Sequence, residues 1–141
     1  MTYNRTTLIT DLEGPSGEGL RLKPYVDTAG KLSIGVGRNL DDKGISKTEA
    51  DFLLADDLND VEAILDQRLS WWRTLTDARQ RVLVELCFNM GWGGLSSFSE
   101  TLGLIHGGDY ATAADHLSAS TWAKEVQATR VARITNMMRN G

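Results

Sequence analysis

The sequence predicts an α+β protein, mostly α, built from a small lobe with a β-hairpin, a long connecting helix and a helical lobe. Three observations predict it. Strand-like alternation is convincing in one place, Lys31 to Gly37, where Leu32, Ile34 and Val36 alternate with Ser33, Gly35 and Gly37. A helical stripe follows, with Ala50, Leu54, Leu58, Val61, Leu65 and Leu69 recurring at spacings of three and four residues. Beyond it, residues 70–141 hold apolar segments punctuated by glycine, serine and aspartate. A chain of 141 residues suits one domain, here divided as 1–45 for the β-bearing lobe, 46–69 for the connecting helix and 70–141 for the helical lobe.

Each element has its own local reason. Thr7 to Glu13 places Leu8, Ile9 and Leu12 on one side of a short helix, and Gly14-Pro15-Ser16-Gly17 stops it. Tyr25-Val26-Asp27 and Lys31 to Gly37 form the hairpin arms around Thr28-Ala29-Gly30, with Gly30 free to take positive φ. Arg38 to Ile45 reads as a loop. Ser46-Lys47-Thr48-Glu49 is a capping box that starts the long helix. Asp51, Asp57, Asp60 and Asp66 fall off its apolar stripe and read as a solvated face.

Leu69 to Leu75 breaks the pattern, and at least one of Trp71 and Trp72 is expected to pack between helices. Thr76 caps a central helix through Met90, closed by Gly91. Trp92 to Ser97 reads as a turn. Ser97 or Ser99 caps a short helix to Ile105, and Asp109 caps another with Ala111, Ala114 and Leu117 inward. Trp122 falls in a loop before a last helix, Gln127 to Met138, with Val131, Ile134 and Met138 inward.

Composition excludes several function classes. No apolar run approaches the ~20 residues of a membrane span, and the N-terminus lacks the apolar core of a secretory signal. The chain is therefore expected to stay in the cytoplasm of the cell that makes it, without stable membrane association, as a monomer. A single cysteine, Cys87, in an apolar stretch reads as a small buried hydrophobe. With two histidines besides, no metal site and no cofactor are expected. The net charge of −4 is uneven: residues 1–70 carry 8 Lys/Arg against 13 Asp/Glu, and residues 71–141 carry 7 against 6. The basic end, with Lys124, Arg130, Arg133 and Arg139 against Glu125, reads as a solvated helix face rather than a nucleic-acid contact.

The chemistry concentrates at the hairpin. Glu18 precedes it, Asp27 ends its first arm nine residues later, and Ser33 follows six residues after that. Two carboxylates flanking a cleft suit glycoside hydrolysis, one protonating the departing oxygen and the other handling water or the cationic sugar. That division requires unequal environments. Ser33 faces opposite to Leu32 and Ile34, where its hydroxyl can hold a water beside Asp27. The structural alternative is that glutamate at a helix end and aspartate before a turn are ordinary local choices.

At these residues the chain resembles the phage-type, T4-like lysozymes. Glu18-Gly19-Leu20-Arg21-Leu22-Lys23, Tyr25, Asp27-Thr28, Gly30 and Ser33-Ile34-Gly35-Val36-Gly37 look like that family's catalytic motif, with matching Glu–Asp and Asp–hydroxyl gaps. The likeness continues through the capping box, Phe88-Asn89-Met90-Gly91, and the Trp122, Arg130 and Arg133 ending. The resemblance implies a bilobal lysozyme-like fold. It implies an endolysin muramidase that cuts the β-1,4 bond between N-acetylmuramic acid and N-acetylglucosamine in bacterial peptidoglycan by an inverting mechanism. Such an enzyme waits in the host cytoplasm for a membrane pore. Carried over by position, Glu18 is the general acid, Asp27 and Ser33 position and activate water, and Phe88, Asn89 and Thr101 line the substrate cleft. The chain departs from the family pattern at Ser33 (usually Thr), at Arg38 (often His), at Asn89 (Gln) and in the break Gly14–Gly17, where about two residues look inserted. That insertion leaves open a second reading, a non-catalytic peptidoglycan-binding or virion structural module on the same fold.

Overall fold

The computed structural model describes residues 2–141. They form an α+β protein, mostly α, with seven α-helices and one three-stranded antiparallel sheet. The chain divides into two compact units, one up to Phe52 and one from Leu53 to Gly141.

The first unit opens with α1 (Arg5–Glu13), which starts two residues earlier than its apolar pattern suggests because Asn4 caps it through Thr7 N. Leu8, Ile9 and Leu12 are exposed. The sheet comprises β1 (Arg21–Val26), β2 (Leu32–Gly35) and β3 (Arg38–Asn39), in that order. The expected hairpin is present, and Gly30 supplies the positive φ of its turn, at 79°. The third strand corrects the reading of Arg38 to Ile45 as loop. Gly35 and Gly37, both at positive φ, turn the chain back so that Arg38 and Asn39 pair with Ile34 and Ser33. β1 bulges between Arg21 and Tyr25, a stretch holding Pro24, whose ring nitrogen has no hydrogen to give the ladder. The Arg21 guanidinium spans the bulge, 4.3 Å from the centre of the Tyr25 ring.

The long helix α2 (Lys47–Arg68) begins at the predicted capping box. Glu49 N donates to Ser46 Oγ at 3.1 Å and Ser46 N donates to Glu49 Oε1 at 2.9 Å. Of its stripe, Val61 and Leu65 are buried, as is Leu69 just beyond; Leu54 is exposed.

The second unit contains every buried hydrophobic residue among those described, from Val61 to Met138. A 3-10 turn, Trp72–Thr74, ends the α2 segment. Trp72 is buried and its indole N–H donates to Asp66 at 2.8 Å, while Trp71 stacks on His106 with ring centres 4.6 Å apart. Thr76 caps α3 (Asp77–Ser96). Gly91 breaks α3 as expected (φ 73°, ψ 172°), but helical turns resume to Ser96, so Trp92 to Ser97 is not a simple turn. Neither Ser97 nor Ser99 caps α4 (Ser99–His106); Phe98 precedes it without a side-chain bond, and Ser97 Oγ donates to Gly94 O instead. Asp109 caps α5 (Tyr110–Ser118), which turns Ala113, Ala114 and Leu117 inward and leaves Ala111 exposed. Trp122 lies in a short helix, α6 (Thr121–Glu125), not a loop. α7 (Ala128–Asn140) buries Ile134 and Met138. Cys87 is buried, and burial pushes its thiol pKa up, so it stays an unreactive packing group. Fully buried Leu83, Leu86, Leu95 and Ile105 supply about 1.5–3 kcal/mol each in transfer free energy.

Candidate active site

Asp27 sits where β1 ends and uses its two oxygens differently. Oδ1 accepts the backbone N–H groups of Ala29 and Lys31, both at 2.9 Å. Asp27 N donates to Lys31 O at 2.8 Å and Gly30 N to Asp27 O at 3.0 Å. Four bonds thus close the turn on one residue and fix its side-chain torsion. Among the described residues Oδ2 takes no backbone donor; it lies 3.5 Å from Ser33 Oγ.

Ser33 is 2% exposed. Its burial follows from topology: β2 is the central strand, and Ser33 pairs with Tyr25 on one side and Asn39 on the other. The predicted alternation is present, with the hydroxyl on the buried face and Leu32 exposed. Oγ stands 3.5 Å from both Asp27 Oδ2 and Lys31 O, longer than a strong O–H···O bond. The single hydroxyl proton can go to only one of these acceptors at a time, and the oxygen's own lone pairs can accept a bond from water.

Glu18 is exposed and follows a loop that returns to the end of α1. Gly14 N donates to Thr10 O at 3.2 Å, Gly17 N to Gly14 O at 3.1 Å, and Gly19 N to Leu12 O at 2.8 Å. The short insertion is therefore folded onto the helix it terminates, and Glu18 lies between two tied glycines. Its carboxyl rests against Gly37: a Cβ there would stand 3.0 Å from Glu18 Oε2 and 3.2 Å from Cδ.

Sequence reasoning missed the groups that brace this sheet. Arg38 Nη1 bonds both oxygens of Glu49, at 2.8 and 2.7 Å, and also reaches Gly44 O at 3.3 Å. The Arg38 hydrogen bond, followed by those from Ser46, holds the Glu49 carboxyl down at about 2 from its ordinary 4.5. Arg38 thus makes an ion pair of its own, with Glu49. Asp41 Oδ2 accepts Leu32 N at 2.7 Å, and Lys31 Nζ pairs with Asp42 at 3.2 Å. The adjacent Asp41-Asp42 was the available signal, since paired acids beside a strand end are candidates for capping its free N–H groups.

The three residues carried over as substrate contacts lie in the second unit and line different depressions. Phe88, half exposed, borders an apolar one of about 390 Å³ with Leu54, Leu58 and Val84. Asn89, exposed, borders a polar one of about 430 Å³ with Glu125, Gln127 and Arg130. Its Oδ1 accepts the Trp122 indole N–H at 3.0 Å, which leaves the amide NH₂ to donate outward. Thr101 is buried and borders a third, about 380 Å³, with Ser99, His116 and Ser120.

A family model described as Phage lysozyme matches residues 15–137. The pre-baseplate central spike protein Gp5 of Enterobacteria phage T4 is 26% identical over 152 aligned residues, which cover 88% of this chain and 26% of that protein. The chain thus spans well under two thirds of the length of that relative. No helix among the described residues is long and apolar enough to cross a membrane. The match over residues 15–137 takes in the whole sheet with Glu18, Asp27 and Ser33, and the chain belongs to the phage lysozyme family.

Proposed function

We propose that the chain is a muramidase that hydrolyses the β-1,4 bond between N-acetylmuramic acid and N-acetylglucosamine in bacterial peptidoglycan. Glu18, in its protonated form, gives its proton to the glycosidic oxygen as the C–O bond breaks. Asp27, ionised, takes a proton from a water that Ser33 Oγ helps to hold, and that water's oxygen bonds to the anomeric carbon. Attack from the face opposite the leaving group inverts the product. Phe88, Asn89 and Thr101 contact the glycan or its stem peptide. One observation carries the reading: Asp27 commits Oδ1 to two backbone donors and leaves Oδ2 beside the Ser33 hydroxyl. A purely structural aspartate needs no such partner.

The biological setting we propose is that of an endolysin, held in the host cytoplasm until a membrane pore admits it to the wall. A second reading has its own support. The relative is named a central spike protein, so the same domain also suits a virion component that opens or grips the wall. Incubation of the purified protein with peptidoglycan tests the activity. Release of muramic acid reducing ends, identified by mass spectrometry, is expected. Wall binding without new reducing ends would favour the non-catalytic module.

A further inference from the structure

We infer that Gly17 and Gly37 are positioning residues for Glu18, one holding the backbone from which it projects and the other forming the surface on which its carboxyl rests; the inference rests on the muramidase reading of Glu18. At Gly17 the constraint is space, not backbone angle. A Cβ there would stand 2.7 Å from Leu12 Cα and 2.9 Å from Leu12 O, and it would also strike the carbonyl of Asp11. These are backbone atoms of α1 and have no rotamer to yield. Any side chain at position 17 therefore lifts the loop off the helix and carries Glu18 with it. At Gly37 the contact is with the carboxyl itself: a Cβ would stand 3.0 Å from Oε2 and 3.2 Å from Cδ, tighter than an ordinary contact, so the carboxyl would have to shift by a few tenths of an ångström. Both glycines act on one side chain from opposite ends, within the first unit. The insertion that could have loosened Glu18 is in this chain the part that fixes it.

The fold supplies internal controls. Gly35 has φ 70°, close to the 69° of Gly37, yet a Cβ at Gly35 meets nothing within 4 Å. Gly35→Ala and Gly37→Ala therefore share the backbone penalty and differ in the contact with Glu18. Ser16→Ala controls for substitution in the loop. Steady-state turnover and ¹H NMR on the full chain test the proposal together. Gly37→Ala and Gly17→Ala are expected to lower kcat by about tenfold to a hundredfold with KM within about twofold. Nuclear Overhauser contacts between the Glu18 γ protons and residue 37 are expected in the wild type, Gly35→Ala and Ser16→Ala, and absent in Gly17→Ala.

Wild-type kcat in Gly37→Ala, or equal losses in Gly35→Ala and Gly37→Ala, would overturn the inference. So would an intact Glu18 contact in Gly17→Ala. If the wild type releases no reducing ends, the muramidase reading fails, while the Overhauser contacts still decide whether the glycines hold Glu18.

Discussion

Asp27 and Ser33 face each other across the closed end of the hairpin, with Oδ2 and Oγ 3.5 Å apart, while Oδ1 is held by Ala29 N and Lys31 N. The geometry separates two duties on one carboxylate. Asp27→Asn keeps a carbonyl oxygen for the turn but removes the charge beside Ser33. Turnover is expected to fall by about a hundredfold or more, with a near-wild-type melting temperature. Ser33→Ala removes only the hydroxyl and is expected to lose about tenfold. Initial rates of reducing-end release check both. Equal wild-type rates in Ser33→Ala would remove its water-holding role.

The Arg38–Glu49 pair predicts an acid sensitivity with a defined window. The folded carboxyl titrates at about 2 and the free one at 4.5. A group with a depressed folded pKa binds its proton more tightly when unfolded, so protonation favours unfolding. Its contribution is complete above pH 4.5 and is lost as pH falls towards 2. The side chains are 27% and 41% exposed, so screening by solvent and salt reduces the effect. Glu49→Gln is expected to be less stable than wild type near pH 6, with the gap narrowing between pH 4.5 and 2. Urea melts at stepped pH measure this, and a gap that stays constant across the window would contradict it.

Trp122 offers a test of substrate contact from within the core. Trp122→Phe keeps an aromatic ring in a buried site but frees Asn89 Oδ1 from its indole donor. Losing one hydrogen bond that orients Asn89 is expected to raise KM about two- to tenfold and leave kcat close to wild type. Saturation curves on soluble glycan fragments separate the two constants. An effect on kcat alone would count against Asn89 as a substrate contact.

Stability and activity should also part at Leu86, 1% exposed on α3. Leu86→Ala leaves a cavity and is expected to cost about 2–5 kcal/mol, read by urea denaturation. The kcat per folded molecule, measured at saturating glycan well below the melting temperature, is expected to stay close to wild type, since Glu18, Asp27 and Ser33 belong to the first unit; any change should fall on KM, through Phe88 and Asn89 on the same helix.

Legibility in the sequence followed the range of the interactions. The capping box at Ser46–Glu49, the turn at Gly30, and the caps at Thr76 and Asp109 are local, and each stands where its residues predict. The Glu18, Asp27 and Ser33 spacing was readable for the same reason, since one hairpin brings Asp27 and Ser33 together. β3 was not readable, because two residues carry no period and the turn into them depends on glycine φ values. The helical turns after Gly91 were hidden by glycines that normally end helices. Arg38 with Glu49, and Glu18 against Gly37, join residues far apart in the chain, and nothing in either local pattern announces the other.

The most direct test of the central claim is reducing-end release by Glu18→Gln on purified peptidoglycan, alongside wall binding by the same variant. Glutamine keeps the size of the side chain against Gly37 and removes the proton donated to the glycosidic oxygen. Release is expected to fall to background while binding and the melting temperature hold. Release at the wild-type rate would contradict Glu18 as the acid, and with it the muramidase mechanism built on this sheet.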